Sequence, residues 1–170
     1  MFQKVQKSNS QKNLKQRFFK DFQLVSELKD IKYSQNEKII AYEGNGYENA
    51  ILKSQSKIQI DDIIEFKLKI ISISGSLKIV VGNTQKGSTY FTFYGPQHQI
   101  LQQIYLWGGE TLQFILDMTE QSIQVGLGNQ TIQKKDLREE WFPQALINDP
   151  SSEYYLYIGF SGCCIEILDE

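Results

Sequence analysis

An alternation of apolar and polar residues at a period of two, cut at short intervals by turn clusters, constrains this chain more than any other feature. In 61–74, Ile64, Phe66, Leu68, Ile70 and Ser72 point one way, and Glu65, Lys67, Lys69, Ile71 and Ile73 the other. The first half of that run alternates cleanly, which predicts a strand with one face buried and one wet. Residues 111–118 repeat the pattern, with Leu112, Phe114, Leu116 and Met118 on one face, and 122–127 follows as a hairpin partner. Shorter strand-like runs cover 38–42, 49–53, 77–81, 89–94, 141–147, 154–160 and 163–168. Between the runs stand turn clusters such as Glu43-Gly44-Asn45-Gly46, Ser74-Gly75-Ser76, Gly95-Pro96-Gln97-His98 and Gly128-Asn129-Gln130. About ten strands at spacings of roughly 8–12 residues, with little helix between them, predict an all-β fold: an antiparallel β-sandwich or barrel, not a parallel α/β sheet.

The beginning of the chain departs from this pattern. Residues 1–13 are polar and aperiodic and read as a basic flexible arm. Residues 14–30 read as a short N-terminal helical segment, because Leu14, Phe18, Phe22 and Val25 share one helical face. An extended segment is the alternative there. Residues 31–170 make the sandwich domain. The first twenty residues hold Lys4, Lys7, Lys12, Lys15, Arg17 and Lys20 and no acid, so the overall charge of -2 leaves the remainder at -8. An acidic body argues against nucleic acid as a partner, since phosphate binding needs a basic surface. The arm is able to touch an anionic surface; a solvated tail is the plainer reading.

No run of apolar residues is long enough to span a bilayer, and the opening stretch lacks the apolar region of a secretory signal. Cys163 and Cys164 are adjacent, so in a strand they face opposite ways and cannot bond to each other. Two reduced thiols and a cytoplasmic setting are expected, in a cytoskeletal or ciliary assembly for example. The 19 Gln and 21 Ile, spread along the whole chain, read as the bias of an AT-rich genome of the ciliate kind.

Catalytic chemistry finds little footing. The lone histidine, His98, has no serine or cysteine motif to pair with and reads as a loop residue. Glu139-Glu140 beside Trp141 suggests a glycosidase carboxylate pair, but sequence neighbours do not set the spacing across a substrate that such a pair needs. One His and two Cys without CxxC spacing make no metal site, and Gly126 and Gly128 precede no helix that would cradle a phosphate. The chain is therefore expected to be no enzyme and to carry no cofactor and no metal.

The order of the strands resembles the SPRY domain family, a concanavalin-like β-sandwich, over roughly residues 37–168. Tyr42-Glu43-Gly44-Asn45-Gly46-Tyr47 through Leu52 is similar to its early hairpin, and Phe66-Lys67-Leu68-Lys69-Ile70 to its long strand. Leu77–Asn83, written Leu77-Lys78-Ile79-Val80-Val81-Gly82-Asn83, resembles the family's "IGV" strand. Gly109-Glu110-Thr111-Leu112-Gln113-Phe114-Ile115-Leu116-Asp117 resembles "GDxIxVxLD", with Glu110 for the usual Asp. Ser122 to Asn129 resembles "TIxFxxNG" with Gln130 in place of the last Gly, and Trp141-Phe142-Pro143-Gln144-Ala145 resembles "LYPAV". A TRAF-like or lectin-type sandwich is the alternative.

The resemblance implies a non-catalytic interaction module, an adaptor or assembly subunit that recognises a partner protein or peptide through loops at one end of the sandwich. The matching positions are Tyr42, Gly44 and Tyr47 in the first turn, Gly75 in the Ser74–Ser76 link, Tyr94 and Gly95 at the middle loop, and Phe160, Ser161 and Gly162 at the closing turn. Tyrosines supply contact area at low entropy cost. A carbohydrate-binding, lectin-like sandwich is the alternative function.

Overall fold

The computed structural model describes residues 22–26, 31–33, 39–44, 49–84, 87–96, 104–138 and 140–168. Among them are eleven strands and one helix. The strands are β1 (Phe22–Leu24), β2 (Ile31–Tyr33), β3 (Ile39–Tyr42), β4 (Ala50–Ser54), β5 (Ile63–Gly82), β6 (Ser88–Tyr94), β7 (Ile104–Tyr105), β8 (Thr111–Asp117), β9 (Ser122–Leu127), β10 (Gln130–Asp136) and β11 (Tyr155–Leu168). The helix, α1, spans Trp141–Asn148. The basic arm at 1–13 and most of the segment 14–30 lie outside the described residues.

Two strands are far longer than the rest, and each belongs to both layers of the sandwich. The first half of β5 pairs with β8, while its second half pairs with β6. The second half of β11 pairs with β3 and its first half with β4, and β11 follows β5 along its length. Layer one is therefore β2-β3-β11-β5-β8-β9-β10 and layer two is β1-β4-β11-β5-β6-β7. All pairings are antiparallel except β6 with β7. The layers meet through aromatic rings: Phe66 of layer one lies 5.7 Å from Phe22 of layer two, and Phe114 lies 6.3 Å from Phe91 and 6.2 Å from Phe93. This is the all-β sandwich that the strand spacing predicts.

A strand that changes layer has to change the parity of its inward residues, because its side chains alternate. In β5 the buried set runs Ile64, Phe66, Leu68, Ile70 and then Ile73, Leu77, Ile79, Val81. Ile71 is the extra residue, inserted between the Ile70–Ile165 and Ser72–Cys164 pairs. In β11 the set runs Leu156, Ile158, Phe160 and then Cys163, Ile165, Ile167. There the flip falls at Gly162, at a φ of 54° and next to a second register shift. These are β-bulges, which bend a strand while resetting its face.

Four local expectations are corrected by this geometry. Ser74-Gly75-Ser76 is no tight link, and Phe160-Ser161-Gly162 is no closing turn. Both run inside long strands, because the bulges let the chain turn the corner while it stays hydrogen-bonded. Residues 22–24 form a strand and not part of a helix: Phe22 and Leu24 alternate onto the core while β1 adds to the edge of β4. Residues 141–148 form a helix and not a strand. Phe142 and Leu146, four apart, bury one face of it. Pro143 falls in the first turn, where its missing N–H is no loss, and Pro150 follows the end.

The two long strands touch at the corner through bare backbone. A Cβ on Gly75 would stand 2.1 Å from the Ser161 carbonyl oxygen, and one on Gly162 would stand 2.9 Å from the Gly75 nitrogen. The sandwich depends on glycine here, and stability measures it. Gly128, at a φ of 60° with nothing within 4 Å of an added Cβ, is the control. Gly128→Ala is expected to cost about 1–2 kcal/mol for the left-handed backbone alone. Gly75→Ala is expected to cost about 3 kcal/mol, since the strands must separate. Urea unfolding of both variants checks this; an equal or smaller loss at Gly75 contradicts it.

Candidate functional site

The corner is also where the resemblance-derived residues converge. The Gly95 N–H donates to the Gly75 carbonyl at 3.0 Å, and the Ser74 hydroxyl donates to the Gly162 carbonyl at 3.3 Å. Ser76 pairs with Ser161 on one side and Tyr94 on the other, and Tyr94 pairs with Tyr105. Tyr42 joins the group through its register with Cys163. Gly44 folds back onto it, since a Cβ there would meet the Tyr42 ring at 2.1 Å.

Convergence is not exposure. Phe160 and Tyr42 belong to the core and hold the corner up from inside, while Ser161 is buried between the strands that flank it. Gly75, Gly162 and Tyr94 are half-buried and Gly95 is buried. Tyr47 and His98 lie outside the described residues.

What the corner presents to solvent is a surface that the strand pattern did not single out. From β7 the chain crosses to β8 through Leu106-Trp107-Gly108-Gly109-Glu110. Leu106 is buried and donates its N–H to the Tyr94 carbonyl at 2.9 Å. The next four residues form a turn fixed at several points. The Glu110 carboxylate accepts the Trp107 N–H at 2.8 Å, and the Gly109 N–H donates to the Ile70 carbonyl at 2.6 Å. The Ile70 N–H in turn donates to the Glu110 carbonyl at 2.8 Å.

Both glycines are required in that turn. Gly109 has a φ of 96°, and a Cβ on Gly108 would stand 2.8 Å from the Ile71 carbonyl oxygen. The turn thus lies directly on the bulge of β5. Trp107 projects from it 61% exposed, and the bulged Ile71 is 39% exposed. Two signals in the sequence mark them. Trp107 is followed by two glycines and cannot be a strand-core residue, and Ile71 breaks the parity of its own strand.

The opposite end is closed by side chains. The Lys135 ammonium of β10 donates to the Tyr90 carbonyl of β6 and lies 5.3 Å from the Phe91 ring, so it bridges the layers. Phe142 of α1 packs 6.3 Å from Tyr90 and 6.0 Å from Tyr154. Among the described residues the buried Tyr90 hydroxyl has no hydrogen-bond partner in good geometry, with the Ser88 hydroxyl the polar group beside it. Burial, with the Glu140 carboxylate adding to it, pushes that hydroxyl up to about 12.

The thiols offer no nucleophile. Burial, helped by Cys164, pushes Cys163 up to about 12, and burial with Glu43 raises Cys164 as well. Both are protonated at neutral pH. Among the described residues no three His, Cys, Asp or Glu side chains gather closely enough to hold a metal. No helix among them is long and apolar enough to cross a membrane.

No protein-family model and no curated protein matches the sequence. Solved structures do match the fold. The SPRY domain of human HERC1 superposes with a TM-score of 0.51 at 12% identity, covering 88% of this chain and 95% of that domain. The TRIM65 PSpry domain gives a TM-score of 0.57 at 10% identity, over 88% of this chain and 92% of that one. A further human SPRY domain gives 0.50 at 11%, over 84% and 96%. The fold is thus the SPRY-like, concanavalin-like sandwich.

Alkaline titration tests the burial of Tyr90 and Cys163. The folded chain keeps both protons to about pH 12, whereas ordinary values are 9.0 for the thiol and 10.0 for the phenol. Stability is therefore full below pH 9 and falls as pH rises above it, because the unfolded chain gives the protons up first. Tyr90→Phe is expected to leave neutral-pH stability unchanged or raised, having removed an unpaired buried hydroxyl. It is also expected to flatten the fall above pH 10, read by urea unfolding at pH 7, 9 and 10.5. A marked loss of stability at pH 7 would show that the hydroxyl has a partner.

Proposed function

We propose that this chain is a non-catalytic interaction module that recognises a partner protein or peptide at the corner, and serves as an adaptor or a subunit of a larger assembly. One observation carries the reading: an indole 61% exposed on a turn that is held by several hydrogen bonds and lies on the bulge at Ile71. Among the described residues Trp107 is the most exposed large apolar side chain, ahead of Ile147 at 48% and Ile60 at 47%, and an aromatic anchor in water calls for a partner. The SPRY-like fold supports a protein as the ligand class. Tyr94, Tyr105, Glu43 and Gly44 stand around the same corner and form the rim of the proposed site. The free, protonated thiols of Cys163 and Cys164 fit a reducing compartment. Contact between the basic arm and an anionic surface is a separate element of the proposal.

Quantitative affinity capture from the native cell tests it. Trp107→Ala and Ile71→Ser are expected to keep the fold by circular dichroism. Truncating a hot-spot tryptophan is expected to weaken capture of a defined protein by about 30-fold. Lys67→Ala, on the outer face of layer one, is expected to change nothing. Equal capture by all three variants contradicts the corner. Binding to a glycan array that survives Trp107→Ala favours the lectin-like alternative.

A further inference from the structure

The corner carries charge as well as an apolar anchor. Ile104 and Leu106 turn onto the core, so their neighbours Tyr105 and Trp107 face outward, and Tyr94 stands in parallel register with Tyr105. Three aromatic side chains thus line one outward strip, and Trp107 is its exposed member. At the foot of the Trp107 side chain stands the Glu110 carboxylate. Its Oε2 accepts the Trp107 backbone N–H at 2.8 Å, in a bond open to solvent. Among the described residues no cation forms an ion pair with Glu110 or lies over the Trp107 ring. Register places Lys69 beside Thr111 and Glu166, and Lys78 beside Thr92 and Gly159. On the other side of the bulge, the exposed Ser72 pairs with Cys164, and the exposed Glu43 carboxylate adjoins that thiol.

We infer that the corner, on the reading proposed above, selects a basic segment of its partner: an arginine that stacks on the Trp107 indole and donates to the Glu110 carboxylate. The face of an indole is negative and attracts a cation, and a carboxylate fixed at its base adds a charged acceptor. A guanidinium answers both at once, being planar enough to stack and forked enough to donate sideways, which an ammonium is not. The sign of the whole molecule agrees. Residues 21–170 carry a charge of -8, so a basic segment is drawn to this body and an acidic one is repelled. Both recognising groups sit on one turn that backbone hydrogen bonds already hold, so neither has to be ordered when the arginine arrives.

Titration of the full chain with blocked, fluorescent Gly/Ser octapeptides at low salt, read by anisotropy, tests this. One peptide carries two arginines; its copies carry two citrullines, two lysines or two glutamates. The arginine peptide is expected to bind about tenfold tighter than the citrulline copy, which keeps the plane and loses the charge, with the lysine copy in between. Glu110→Gln keeps an oxygen to accept the Trp107 N–H and is expected to weaken the arginine peptide about fivefold, as is Trp107→Ala. Glu153→Gln removes the same charge from an exposed position at the opposite end, next to Tyr154, and is expected to change nothing. Citrulline or glutamate peptides that bind as tightly as arginine overturn the proposal. So does an equal loss in the Glu110 and Glu153 variants, which would leave only overall charge. Self-association in sedimentation that Glu110→Gln abolishes assigns the site to a second copy's basic arm and overturns the partner form. The corner itself fails separately. Capture from extract that ignores Trp107→Ala removes the reading on which this rests, whereas capture that needs Trp107 but not the Glu110 charge leaves the corner standing and removes its arginine.

Discussion

The contact between Gly75 and the Ser161–Gly162 backbone is the constraint on which the rest of this structure depends. Two strands must leave one layer and enter the other side by side, and at that point no side chain fits between them. If the crossing opened, β5 and β11 would each be two strands with loose ends, and every other strand except β2, β7, β9, β10 and β1 would lose a direct partner. Local strain and global architecture meet in a few backbone atoms. Close-packed backbone of this kind tolerates no graded adjustment, so a single methyl is felt across both layers.

The same crossing sets up the exposed surface. Ile71 is forced outward because β5 needs an extra residue to change parity, and the resulting bulge offers the carbonyls of Ile70 and Ile71 to the Trp107–Glu110 turn. The tryptophan is presented by a platform whose position is fixed by the fold and not by a mobile loop. A preorganised anchor loses little entropy on binding, which is what a small recognition surface needs in order to be specific.

Much of the layer architecture was legible in the chain. The clean alternation in 63–70 and 111–118 marks strands of a two-faced sheet, and the order of these segments resembles SPRY domains strongly enough to anticipate the sandwich. Short segments were less legible. Residues 22–24 carry helical spacing, yet the free edge of β4 and the Phe66 ring favour a strand. Residues 141–148 are as apolar as a strand, and only the Phe142–Leu146 spacing and the position of Pro143 tell a helix apart. The corner glycines were singled out in the sequence as turns; that they are bulges inside long strands follows from parity across layers, which pairing alone reveals. Trp107 lies in the 95–109 stretch, which has no strand periodicity to mark it, whereas Tyr42 stands at a turn position of the family and yet its ring is buried.

The account's central claim is that a partner meets the corner and not a sheet face. Photo-crosslinking decides it most directly: p-benzoylphenylalanine placed at position 107 in one sample and at position 67, on the bare outer face of layer one, in another, each irradiated in native extract. The account predicts a discrete protein adduct from position 107 and none from position 67. An adduct from position 67 with none from position 107 would contradict it.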